Sequence, residues 1–177
     1  MTRPISLKII VAGQGGVGKT TLLRRYQSGE FIPASTTVGI NFVTQQIQNT
    51  GNVPIILSIW DYAGEERFKV LFPGYSNGSR GGLAVFDSNR PESLEALSDW
   101  ISIIFEKNGP KIPVILVGTK NDTLTGINSS FVNEKAQEFC KENNLRAFFS
   151  VSSKTGDGVN ELFDFLSNEV VRSLTFR

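Results

Sequence analysis

The chain has 177 residues, 40% hydrophobic and 20% charged, with a formal net charge of +1. That length suits one ordinary domain with its own core, and the near-neutral balance gives no electrostatic case for nucleic acid or an anionic membrane. There is no histidine and a single cysteine, Cys140, which excludes histidine triads, histidine metal ligands, imidazole bases and an internal disulfide. Cys140 shares a helical face with Ala136 and Phe139, so it reads as a packed core thiol. No run of about 18 apolar residues and no secretory leader appears, so a cytoplasmic monomer is expected.

In chain order, an apolar run over 6–12 reads as a strand and leads into Gly13-Gln14-Gly15-Gly16-Val17-Gly18-Lys19-Thr20. A helical pattern follows over 19–28. Strands over 39–47 and 54–60 are joined without a helix by the turn cluster at 48–53, and should form an antiparallel hairpin. Helices over 66–72, 92–107, 132–143 and 158–172 then separate strands over 82–87, 113–119 and 146–151. Leu94, Leu97, Ile101, Ile104 and Phe105 step by three or four, as a helix packed on a sheet requires, and so do Val159, Leu162, Phe163, Leu166 and Val170. The expected fold is α/β of the P-loop NTPase kind, one domain over 1–177. Its sheet is six-stranded and mixed, five strands parallel and one antiparallel, flanked by about five helices.

The segment 13–20 is a full G-x-x-x-x-G-K-S/T phosphate loop between a strand and a helix. Its glycines let backbone N–H groups converge on an anion, and the helix N-terminus behind them adds a favourable dipole. Gly13, Gly15, Gly16, Val17, Gly18, Lys19, Thr20 and Thr21 are therefore expected to hold phosphates. Lys19 would reach the β- and γ-phosphates and the Thr20 hydroxyl a magnesium ion. A closed glycine-rich turn is the bland alternative, and the strand–loop–helix context argues against it. At the end of the third strand Asp61 would hold the same ion, and Gly64 lets its N–H approach a terminal phosphate. Thr119-Lys120-Asn121-Asp122 closes the fifth strand. There Asp122 can accept from the N1–H and exocyclic amine of guanine, donors that adenine does not present.

These motifs, in this order, resemble the Ras superfamily of small GTPases, and within it the Rab branch, over about residues 6–172. Trp60-Asp61-Tyr62-Ala63-Gly64-Glu65-Glu66-Arg67-Phe68 is similar to the Rab segment W-D-T-A-G-Q-E-R-F, and Val38-Gly39-Ile40-Asn41-Phe42 to I-G-V-D-F. Tyr75-Ser76-Asn77-Gly78 resembles Y-Y-R-G, Val85-Phe86-Asp87 resembles V-Y-D, and Ser152-Ser153-Lys154 resembles the S-A-K loop over the base. The resemblance implies GTP or GDP with magnesium as ligands. It implies that Thr37 binds the ion and senses the γ-phosphate, that Phe31 covers the guanine edge, and that Lys120 packs over the base. It implies a backbone contact from Ser153, and a bare backbone at Gly15 to admit catalytic groups. Its catalytic set would be Lys19, Thr37, Gly64 and Glu65, its metal set Thr20, Thr37 and Asp61. Effectors would read the first switch, the hairpin and residues 65–75, with Phe42, Trp60 and Phe68 as an apolar patch. An exchange factor and a GTPase-activating protein complete the implied partners, with no nucleic acid among them.

Four positions depart from that pattern. Glu65 stands where the family has glutamine; a carboxylate only accepts hydrogen bonds and adds negative charge near the γ-phosphate, and although it could act as a base, repulsion should turn it outward, so slow hydrolysis and a poor response to activating proteins are expected. Thr119 replaces the asparagine of N-K-x-D, as in the Rho branch, and its hydroxyl can still tether the phosphate loop. The first switch, Phe31 to Thr37, is one residue short, with Pro33-Ala34 in place of a bulky aromatic. Tyr62 replaces a threonine and should pack into the switch region. The sequence ends Ser173-Leu174-Thr175-Phe176-Arg177 with no cysteine to prenylate, so no lipid anchor is expected in this chain, and membrane association would need a lipidated tail beyond it. Three readings follow: a guanine-nucleotide switch with weak GTPase activity in membrane trafficking or signalling, a degenerate GTPase serving as a constitutive binding module, and an ATP-using P-loop enzyme. Asp122 and Ser152-Ser153-Lys154 argue against the last.

Overall fold

A computed structural model describes residues 4–35, 37–47 and 54–175. The turn cluster expected at 48–53 lies outside the described residues, as do Thr36 and the last two residues. In chain order the elements are β1 (Ile5–Ala12), α1 (Lys19–Ser28), β2 (Ile40–Ile47) and β3 (Ile55–Tyr62). A 3-10 helix (Glu66–Leu71), α2 (Phe72–Ser76), β4 (Gly81–Asp87), α3 (Pro91–Glu95) and α4 (Leu97–Asn108) follow. β5 (Val114–Thr119), α5 (Gly126–Glu142), β6 (Phe148–Ser150) and α6 (Val159–Thr175) complete the fold.

The six strands lie in the order β2-β3-β1-β4-β5-β6. β2 and β3 pair antiparallel, Ile40 opposite Tyr62 and Ile47 opposite Ile55, and the other pairs are parallel. The mixed sheet expected from the missing crossover helix is therefore present.

Strand alternation divides the core in two, because successive side chains leave a strand on opposite faces. Leu7, Ile9 and Val11 of β1 join Val85, Val117 and the α6 residues Phe163, Leu166 and Val170 on one face. Ile10, Ala12, Phe86 and Leu116 face Trp100, Ile101 and Ile104 of α4 on the other. Cys140 is buried on α5 with Ala136, as its helical spacing predicts, and burial pushes its thiol up.

The differences from expectation have local causes. α5 starts at Gly126, not near 132, and its first turns carry Ile127 and Phe131 on the solvent side, off the stripe that buries Ala136 and Cys140. The segment expected as one helix over 66–72 is a 3-10 helix followed by α2, with no buried residue before Phe72. β3 extends through Asp61 and Tyr62, held by antiparallel pairing to Asn41 and Ile40. The last strand is only three residues long. Among the described residues no helix is long and apolar enough to cross a membrane.

Strand order reverses around β1, which has β3 on one side and β4 on the other. Open α/β sheets bind ligands at such a reversal, beyond the carboxyl ends of the strands. At the opposite, amino end of β4 the packing of the sheet on α6 depends on Gly81, where a Cβ would lie 2.6 Å from Val170 Cγ2 and 3.0 Å from Ile9 Cδ1. Both neighbours are fully buried and β-branched, so neither can yield cheaply. Gly81→Ala is expected to destabilise the fold by about 1–3 kcal/mol in urea denaturation; an unchanged midpoint would contradict this packing.

Candidate functional site

A cleft of about 440 Å³ opens at that reversal. The phosphate loop and α1 contribute Gly15, Gly16, Gly18, Lys19, Thr20 and Thr21 to its wall. Phe31, Thr37, Gly64 and Glu65 close one side, and Thr119, Lys120, Asp122, Ser153 and Lys154 the other. Of the predicted site residues, Gly13, Val17, Asp61 and Ser152 stand behind this wall and support it. Pro33, Ala34, Ser35 and Thr123 also line the cleft; of these, only Pro33 and Ala34 stood out in the sequence, as the departure in the first switch. The Pro33 carbonyl accepts from the Arg24 guanidinium at 3.1 Å, tying that segment to α1.

Gly18 precedes α1 in the left-handed region, φ 97°, and no side chain caps the helix. The N–H groups of Lys19, Thr20 and Thr21 are consequently without intrahelical acceptors and available to an anion. Lys19 is 6% exposed. Its ammonium donates to the carbonyls of Gly13 at 2.8 Å and Gln14 at 2.9 Å. Burial pushes its pKa down to about 8, opposed by the Asp61 charge and reinforced by Arg90. Gly13 has φ 145°, and a Cβ there would run into the Val85 carbonyl. Val17 has its side chain in the core and offers only backbone to the site.

Beneath the loop, Thr20 Oγ1 lies 2.6 Å from Thr37 Oγ1 and donates to Asp61 Oδ2 at 2.5 Å. Asp61 is fully buried, and its Oδ1 has no hydrogen-bond partner. Burial pushes its carboxyl up, against the pull of the Thr20 hydroxyl and of Lys19. Two hydroxyls and one orphaned carboxylate oxygen fit a small hard cation that keeps water and phosphate as its remaining ligands. Among the described residues no cluster of three histidine, cysteine or carboxylate side chains offers a rival metal site.

At the far end, the Thr119 hydroxyl donates to the Val17 carbonyl at 2.6 Å, so threonine performs the tether expected of it. Lys120 adopts a left-handed backbone, φ 62°, and its ammonium reaches the Gly16 carbonyl at 3.2 Å and Asp87 Oδ2 at 2.5 Å. Asp122 Oδ1 accepts from the Ser152 hydroxyl at 2.6 Å, and Ser152 Oγ in turn accepts from the N–H groups of Lys154 and Thr155. Ser152 thus orients the carboxylate from behind, while Ser153 and Lys154 stand at the wall. Phe31 is exposed at the cleft rim.

The second switch is fastened at both ends. The Gly64 carbonyl accepts from the Gly15 N–H at 2.9 Å, and a Cβ on Gly64 would collide with the Gly13 and Gln14 carbonyls. Glu65 lines the cleft and pairs with Arg67 at 2.7 Å, so it is held by a neighbouring cation within the switch. The Tyr62 hydroxyl donates to the Phe68 carbonyl, and its buried ring packs against Phe72, Tyr75 and Trp100. Burial there, with Tyr75 beside it, pushes the Tyr62 phenol up to about 12. Phe42 is 56% exposed and meets the half-buried Trp60 edge-on, ring centroids 4.7 Å apart. Asp87 and Arg67 fall within matched segments of the sequence but were given no role there; their significance comes from charge contacts, Asp87 with Lys120 and Arg90 and Arg67 with Glu65, that the motifs do not specify.

The Ras family profile matches residues 8–172 of this chain. The chain is 32% identical over 170 residues to the Ras-related protein Rab-32B of Dictyostelium discoideum, an alignment covering 93% of this chain and 64% of that one. It is 33% identical to the GTP-binding protein YPT53 of Saccharomyces cerevisiae, over 94% of this chain and 77% of the relative. With Ras-related protein RabC of Dictyostelium discoideum the identity is 34%, over 96% and 86%. The chain thus spans just under two thirds of the first of these relatives and more of the other two.

Lys19 generates a pH dependence. Its folded pKa of about 8 lies below the ordinary 10.5. Between those values the unfolded chain holds a proton that the folded chain has lost, so stability rises with pH across the window. In urea titrations of ligand-free protein, the wild type should gain about 2 kcal/mol relative to Lys19→Met between about pH 8 and 10. Parallel pH profiles for the two proteins would contradict the assigned shift.

Proposed function

The chain belongs to the Ras family of small GTPases, and from that premise we propose that it is a guanine-nucleotide switch that hydrolyses GTP slowly. One observation carries this reading: the uncapped N-terminus of α1 and the buried Lys19 ammonium flank one end of a 440 Å³ cleft whose other end presents Asp122. GTP or GDP lies along it with phosphates on the loop and guanine against Asp122, which Ser152 holds from behind. Each hydrogen bond to the carboxylate contributes about 1.5–3 kcal/mol, and adenine would leave it unpaired. Phe31 and Lys120 flank the base.

Thr20, Thr37 and Asp61 would hold magnesium, which would supply positive charge against the phosphates. Water attacks the γ-phosphorus in line while Lys19 and the loop N–H groups stabilise the developing charge. Glu65 stands where a group that both accepts and donates would serve the attacking water better. Its carboxylate is shared with Arg67, which lowers its repulsion toward the phosphate and also its freedom to orient water. The Thr37 hydroxyl and the Gly64 N–H sense the γ-phosphate, and losing it relaxes both segments. Effectors read the first switch, the β2–β3 pair and residues 65–75 in the GTP state, where Phe42 and Trp60 present apolar surface, and an exchange factor and an activating protein are the further partners. Membrane trafficking or signalling is the proposed setting, by analogy with the Rab and Ypt relatives, and the G domain is taken to span the whole chain.

A second reading, a nucleotide-stabilised binding module without switching, is favoured by the way Tyr62 fixes the second switch. Its hydroxyl holds the Phe68 carbonyl, and Lys69 bonds Asp99 of α4 at 2.7 Å. Capture of partners by GTP-loaded but not GDP-loaded protein supports the switch; equal capture by both supports the module.

Labelled GTP should bind and resist a hundredfold excess of ATP, an outcome that free competition by ATP would overturn. In single-turnover assays the wild type should hydrolyse GTP slowly, and Glu65→Gln should be faster by about tenfold or more. An unchanged rate in the variant would refute the role given to Glu65.

A further inference from the structure

Holding a peptide carbonyl fixes more than that carbonyl. The peptide plane is rigid and trans, so the C=O of one residue sets the direction of the next residue's N–H, and the described residues contain no cis bond. In the phosphate loop the Gly13 and Gln14 carbonyls are held by Lys19, Gly16 by Lys120 and Val17 by Thr119. The Gly15 carbonyl is held by a residue outside every motif: Arg90, whose Nη2 donates to it at 3.0 Å across 75 positions of sequence.

Arg90 is itself anchored. Its N–H donates to the Asp87 carbonyl at 2.8 Å, and its carbonyl accepts from the Ser93 N–H at 2.9 Å and the Ser93 hydroxyl at 2.6 Å. Pro91 follows, which keeps Arg90 out of the helical region, and its backbone is extended at φ −129°, ψ 86°. The side chain leaves this fixed point beside Asp87, 3.5 Å from Nε to Oδ2, an ion pair without hydrogen-bond alignment. Asp87 is 3% exposed and also takes the Lys120 ammonium at 2.5 Å. One buried carboxylate therefore balances two cations, and each cation grips one of two consecutive loop carbonyls.

We infer that Arg90 is a positioning residue for the phosphate loop, holding the Gly15 carbonyl so that the Gly16 N–H stays directed at a bound polyphosphate, with Asp87 as counter-charge to Arg90 and Lys120 alike. This rests on the nucleotide-binding reading above. Without Arg90 the Gly15–Gly16 peptide can rotate, and the Lys120 ammonium is drawn more strongly to Asp87 alone.

The test is the release of fluorescently labelled GDP from the full chain, beside thermal unfolding of the ligand-free protein. Arg90→Ala should release GDP about five times faster, with the ligand-free unfolding midpoint unchanged. Arg90→Lys, which keeps charge and approximate reach, should stay within about twofold of wild type. An unchanged release rate in Arg90→Ala overturns the inference. So does faster release that Lys fails to rescue, or that comes with a matching loss of ligand-free stability. A wild type that binds no labelled GDP overturns the nucleotide-binding reading instead, and the inference with it.

Discussion

The arrangement of the cleft depends on one constraint: the carbonyls of the phosphate loop must all be satisfied from the protein side. From Gly13 to Gly18 each one is, the last by the Leu22 N–H at 2.9 Å. The other donors come from α1, the segment after β4 and the end of β5, which is why β1, β4 and β5 must lie side by side with their carboxyl ends level. A buried carbonyl without a partner costs on the order of 1–3 kcal/mol, which bears on Gly13 and Val17, the two buried residues of the six; at the more open Gly15 and Gly16 the bonds serve to fix direction. Their N–H groups are thereby preorganised, and an anion finds them already aimed, with little reorganisation needed on binding.

Much of this was legible in the sequence because it is local. Gly13 to Thr20 encode their own loop, and the alternation of β1 with the three-to-four spacing of α4 and α6 encodes the two-faced sheet. Asp61, Asp122 and Ser152-Ser153-Lys154 were legible because each lies at or just beyond the carboxyl end of a strand, where the fold concentrates chemistry. Arg90 was not, since its meaning lies in a contact 75 residues away and it sits in an ordinary helix-opening Arg-Pro-Glu. The start of α5 was missed for a different reason: its early apolar residues, Ile127 and Phe131, lie in solvent, so they do not continue the buried stripe of Ala136 and Cys140 that marked the rest of the helix. Tyr62 was noticed as a departure, but which rings it would meet depends on α2 and α4 arriving beside it.

Glu65 shows how a single substitution is absorbed. In isolation its carboxylate beside a phosphate site is a local conflict, a negative charge facing another. Arg67, two positions later and 66% exposed at its side chain, is close enough to share that charge without closing the cleft. The pair leaves the surrounding backbone in place, with Gly64 still bonded to the phosphate loop. Architecture and chemistry at this position are thus separable: the fold tolerates the carboxylate while the reaction has to work around it.

The edge position of β2 has a consequence of its own. One side of this strand pairs with β3 along all eight residues, and among the described residues the sheet order leaves the other side without a strand. Edge strands are ordinarily guarded by lysine, proline or a bulge that discourages added strands. Ile40-Asn41-Phe42-Val43-Thr44-Gln45-Gln46-Ile47 carries neither a charge nor a proline. Its outer row of backbone donors and acceptors is open to any extended segment that reaches it, so in concentrated solution this is the border at which copies of the chain would begin to adhere, well away from the nucleotide cleft's base-binding end.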